Sequence, residues 1–129
     1  MKPALLLTLL ALSLQAADQP AADPALKAAM DQVNATGASL MPVAADGKTY
    51  RFTALNVAKE FNDAGLAPLG AIADKISSLD LARTKITDAG LKAVAAMKNL
   101  TELHLEGTGI TDAGLDHLKS LTQLEYLNL

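Results

Sequence analysis

Apolar residues recur along this chain at a fixed step. The triplets Leu55-Asn56-Val57, Leu79-Asp80-Leu81, Leu103-His104-Leu105 and Leu127-Asn128-Leu129 follow one another at 24 residues, and Phe52, Ile76, Leu100 and Leu124 stand three positions before them. Apolar-polar-apolar alternation predicts a short strand with one face buried. After the strands come Leu66, Leu69 and Ile72, then Leu91, Val94 and Met97, then Leu115, Leu118 and Leu121. Their spacing of three predicts helical segments with one apolar stripe facing the strands. The chain therefore reads as repeated strand–turn–helix units over 55–78, 79–102 and 103–126, with a partial fourth unit at 127–129. Such a unit cannot bury its apolar face alone, and stability belongs to the stack of neighbours.

Each unit passes from strand to helix at a similar motif: Asn62-Asp63-Ala64-Gly65-Leu66, Thr87-Asp88-Ala89-Gly90-Leu91 and Thr111-Asp112-Ala113-Gly114-Leu115. Asn or Thr is expected as the N-cap, its side chain accepting from a free helix N–H. Asp suits the positive end of the helix dipole. Gly, unfavourable inside a helix, is expected where neighbouring turns approach closely. In unit 55–78 the strand-to-helix turn is one residue shorter and the segment after it one longer, so the two shifts cancel.

Residues 24–54 read as a cap for the open front of the stack. Asp23-Pro24 predicts a helix start, with Leu26, Met30 and Val33 on one face. Asn34 to Gly37 should end it. Leu40 to Ala44 and Thr49 to Val57 are expected as two strands joined around Asp46-Gly47, a hairpin signal. Before the cap, 17–23 is an Ala/Asp/Pro-rich leader, and 1–16 has the form of an export signal: Lys2, an apolar run from Ala4 to Leu14, and small residues for cleavage after Ala16. That run is short for a membrane span of about 20 residues. The expectation is an exported chain, periplasmic or secreted, without a membrane anchor after cleavage.

The segment Leu100 to Leu115, L-x-x-L-x-L-x-x-T-x-I-T-D-A-G-L, resembles bacterial exported leucine-rich repeat proteins, and in particular the cysteine-containing repeat subclass. Thr84 and Thr108 stand where that subclass has Cys or Asn, and can hydrogen-bond the turn backbone as those residues do. The resemblance covers Phe52 to Leu129. It implies an α/β leucine-rich repeat solenoid: a short curved parallel sheet, helices on the convex face, and a concave face used for protein–protein recognition. In the first unit Glu60 and Lys59 stand near the Thr position. An unpaired carboxylate is not buried there, so this turn is expected to be more exposed than its successors.

Composition narrows the chemistry. Half of the 129 residues are hydrophobic, but there are only two Phe, two Tyr and no Trp, so the core is aliphatic. The formal charge is −3 with no Lys/Arg run, which speaks against nucleic acid as a partner. With no cysteine, disulfides, thiolate metal sites and haem attachment are excluded. Strand alternation places Asn56, Ser78, Asp80, Glu102, His104, Glu106, Tyr126 and Asn128 on the concave face. Of these, Asn56, Asp80, Glu102, His104, Glu106, Tyr126 and Asn128 are the candidate partner-binding residues. Tyr126 is foremost, because large amphipathic side chains favour interfaces. One His among carboxylates is a poor set for zinc or manganese, since His117 belongs to a helix, and no metal or cofactor is expected. No phosphate loop or nucleophile elbow appears. Two functions remain open. One is a non-enzymatic module binding a protein or peptide. The other is a structural or assembly element, or a piece of a longer repeat protein, associating through the uncapped C-terminal strand.

Overall fold

In the computed structural model the structure describes residues 23–129. The expected signal and all but the last residue of the leader lie outside the described residues. Helix α1 (Pro24–Thr36) begins where the Asp-Pro pair predicts. The Asp23 carboxylate accepts from the backbone N–H of Ala25 and Leu26, and Gly37, at φ 87°, closes the helix in the left-handed region. The Leu26 bond is the main reason the Asp23 carboxyl titrates below its usual value. Leu26, Ala29 and Val33 form its buried face.

Five strands form one sheet in the order β1-β2-β3-β4-β5. Strands β1 (Ser39–Pro42) and β2 (Tyr50–Thr53) are an antiparallel hairpin. Strands β3 (Ile76–Asp80), β4 (Glu102–His104) and β5 (Tyr126–Asn128) then add in parallel. Leu79, Leu103 and Leu127 are direct register partners, as the 24-residue step predicts. Beyond the strands the pairing continues: Leu81 N–H donates to His104 O, and Leu105 N–H to Asn128 O.

The first triplet does not join this row. Phe52, not Leu55, is the partner of Leu79. Ala54 N–H donates to Asp80 O, so Phe52-Thr53-Ala54 is the strand equivalent to Leu79-Asp80-Leu81. Leu55-Asn56-Val57 is instead a single 3-10 turn, and Leu55 is 54% exposed. The reason is alternation: Tyr50, Phe52 and Ala54 are all buried, whereas neither Leu55 nor Val57 reaches full burial. The step across the first unit is therefore 27 residues, and its turn is longer than the later ones rather than shorter. Lys59 and Glu60 are exposed in that turn, as expected of them.

The core lies between the sheet and the helical segments. Leu66, Leu69, Ile72, Ile76, Leu79, Leu81, Ile86, Leu91, Met97, Leu100 and Leu103 each have under 2% exposure. The helical segments are less regular than the pattern suggests. Asp63–Lys75 is 3-10, contains Pro68 and bends at Ile72. Of the repeat segments only Asp88–Val94 (α2) makes two α-turns, and Asp112–Leu115 (α3) passes into a 3-10 segment, Asp116–Ser120. Toward the last strand burial fades, leaving Leu127 41% and Leu129 58% exposed. Among the described residues no helix is long and apolar enough to cross a membrane.

Candidate functional site

The turns into the helices are built differently from a simple capped start. Asn62 does cap its segment, accepting from Ala64 N–H at 3.0 Å. Thr87 and Thr111 make no such bond. Each is held instead by the Asp of the preceding unit. Asp63 accepts from Thr87 N–H at 2.8 Å and from its hydroxyl at 2.5 Å, and Asp88 takes Thr111 in the same way at 2.8 and 2.5 Å. The hydroxyl and backbone bonds of Thr111 hold the Asp88 carboxyl below its usual value. Asp63 and Asp88 thus stand in the first turns of their own segments, as expected, and also act as clasps between units. Glycine makes room for them. A Cβ on Gly90 would meet Asp63 Oδ1, and one on Gly114 would meet Asp88 Oδ1, at distances no real contact allows.

Inside the turns Thr84 and Thr108 donate to Leu81 O and Leu105 O, each at 2.7 Å. Val57 takes the corresponding place in the first unit, its N–H bonded to Ala54 O. It brings no hydroxyl.

The candidate residues other than Asn56 lie on the polar face of the sheet, which no helix covers among the described residues. Parallel register puts its side chains in rows about 4.8 Å apart. One row runs Arg51, Ser78, Glu102, Tyr126, and the next Thr53, Asp80, His104, Asn128. Ser78 is almost fully buried at the centre of the first row. It accepts from Arg51 Nε at 3.2 Å and donates to Glu102 Oε2 at 3.1 Å, while Arg51 Nη2 reaches the same oxygen at 3.4 Å. Arg51 therefore offsets the charge of Glu102. In the second row Asp80 Oδ1 accepts from Ala82 N–H and helps shape its own turn. The His104 ring lies against Tyr126 with centroids 5.1 Å apart. His104 Nδ1 stands 3.9 Å from Glu106 Oε2, an oxygen shut off from solvent and without a hydrogen-bond donor.

The structure thus brings six of the seven candidates, Asp80, Glu102, His104, Glu106, Tyr126 and Asn128, to one side of β3–β5. Asn56 does not belong with them, because it sits in the 3-10 turn after β2. Its place in the rows is taken by Thr53 and, one row away, Arg51. Reading the first strand at Leu55 hides Arg51. The alternation Tyr50-Arg51-Phe52-Thr53-Ala54 is the signal that would have found it. The carboxylates on this face do not pool into one acidic cluster: Glu102 has a cation, Asp80 a backbone donor, and Glu106 the imidazole. Among the described residues no three metal-ligating side chains converge to hold an ion.

Residues 75–95 and 96–119 match the leucine-rich repeat family model, consecutive segments that take in β3, α2, β4 and α3. These segments are leucine-rich repeats by sequence as well as by the register of their strands. No curated protein and no solved structure matches the chain.

Proposed function

We propose that this protein is an exported, non-enzymatic recognition module that holds a protein or peptide against the polar face of its sheet. In this reading residues 1–16 are a signal peptide, 17–23 a leader, and 24–54 a cap on a curved stack whose concave side is the binding surface. The supporting observation is the His104–Tyr126 pair. Tyr126 is half-exposed, beside Glu102 in register, and lies against the ring of His104, which Asp80 and Asn128 flank in register, on a face that no helix among the described residues covers. An aromatic with one wet end is suited to an interface, since it combines apolar area with a hydrogen-bonding tip. Leucine-rich repeats generally serve protein interaction, which agrees with this use.

The test is affinity capture from the envelope and secreted fraction with the full chain as bait. A partner retained by the wild type and lost with the double variant His104→Ala/Tyr126→Ala supports the reading. A partner retained equally by both would remove the sheet face from the interaction.

A second reading rests on Leu127 and Leu129. Their exposure at the free edge of β5 favours a structural element that associates with further strands. Light scattering across a concentration series separates the two, because a monomer at all concentrations excludes self-association through β5.

A further inference from the structure

Beyond the C-terminal ends of β2 and β3 the long first turn borders a half-open cleft of about 430 Å³, lined by Leu55, Val57, Ala58, Lys59, Glu60 and Arg83. That volume is in the range of sites for small organic ligands. The 3-10 turn gives it an aliphatic wall, and half-exposed Leu55 is covered by nothing in the described residues. Arg83 and Lys59 stand at the same cleft, and neither has an ion-pair partner among the described residues.

Arg83 has a second peculiarity. It is the sole residue other than glycine with positive φ, at 61°, among the described residues, and the same place one unit later is Gly107, at φ 70°. Left-handed backbone disfavours any residue with a Cβ. The third unit uses the residue that suits the turn, whereas the second keeps a long cation there. The backbone does not require a guanidinium at this position. Its use lies in what the side chain can reach.

We propose that this cleft binds an apolar carboxylate. The aliphatic part lies on Leu55, Val57 and Ala58, and the carboxylate meets the fork of Arg83, with Lys59 beside it. A planar guanidinium pairs with a carboxylate through two parallel bonds. A cationic ligand would face two like charges, and a purely apolar one would leave both cations unused. Glu60 on the same lining opposes a second negative charge, so a monocarboxylate fits and a dianion does not. The site is independent of the polar sheet face.

The experiment is a titration of the ¹⁵N-labelled full chain with N-acetyl-leucine, followed by amide shifts, with N-acetyl-leucinamide as the uncharged control. Saturable shifts are expected at Val57, Ala58, Lys59 and Arg83 with the acid, and at least tenfold weaker binding of the amide. Arg83→Gly installs the residue of the third unit, so it should hold or raise Tm while weakening the acid at least tenfold. Leu55→Ser, at an exposed position, should weaken it several-fold with Tm unchanged. A parallel titration with Ala-Ala-Leu separates the sources. Binding at least as tight as that of the acetylated amino acid marks a peptide C-terminus, and weaker binding marks a free small acid. No saturable shift, equal response to acid and amide, or unchanged binding by Arg83→Gly would overturn the proposal.

Discussion

Replacing Gly90 by Ala should destabilise this protein, although a Gly-to-Ala change near a helix start ordinarily helps. Gly90 lies in the first turn of α2, where alanine would bring at most about 1 kcal/mol of helix propensity. Its Cβ would collide with Asp63 Oδ1 where that atom now lies, and would stand 3.0 Å from Ile86 Cγ2. The carboxylate must swing away, and with it go the bonds to the Thr87 amide and hydroxyl at 2.8 and 2.5 Å. Two such bonds contribute about 1 kcal/mol each, and crowding against Ile86 adds about 1 kcal/mol. The net loss is then about 2 kcal/mol, or a fall in Tm of roughly 6–10 °C for a chain of this size. Urea denaturation followed by circular dichroism, with coincident Tyr fluorescence, measures it. Gly70→Ala is the control: nothing lies within 4 Å of its Cβ, so it should be neutral or stabilising. In an Asp63→Ala background the clasp is already gone, and Gly90→Ala should cost no more than about 1 kcal/mol, the crowding against Ile86. Equal losses in both backgrounds would refute the clasp as the reason for glycine.

Phe52→Ala should cost about 3–5 kcal/mol, as for a fully buried aromatic, while Leu55→Ala should stay within about 0.5 kcal/mol of wild type. Thermal melts of the pair therefore decide which triplet is the first strand. Asp88 titrates below its usual 3.8 because Thr111 hydrogen-bonds its charged form. A lowered carboxyl stabilises the fold above that usual value, and the contribution fades as pH falls through the lower folded value. Asp88→Asn should thus lower Tm at pH 6 and converge on the wild type near pH 2.

Much of this fold is legible in the sequence because one spacing governs it. Leu79, Leu103 and Leu127 had to be neighbours if 24 residues make one unit, and so they are. The helix start at Asp23-Pro24 and the turn hydroxyls of Thr84 and Thr108 follow from local chemistry alone. The first strand was hidden for the same reason the others were visible. Leu55-Asn56-Val57 keeps the spacing, and only the burial of Tyr50, Phe52 and Ala54 shows that the unit is three residues longer. Arg51 was missed with it, so the charge partner of Glu102 was missed too. The clasps were illegible for a different reason. Asp63 and Thr87 are 24 residues apart, and local rules assign each to its own helix end. Pro68 was the visible sign that the first helical segment would be irregular.

The clasp joins the head of one unit to the head of the next, and each Thr-Asp pair in the described repeats holds both halves of the latch side by side. A cassette cut anywhere and copied in frame would arrive with a hook for the unit behind it and an eye for the unit ahead. Lengthening by duplication needs no redesign of the joint. Because this joint lies at the helix starts and not on the sheet, exposed side chains such as Tyr126 can vary from copy to copy without touching it.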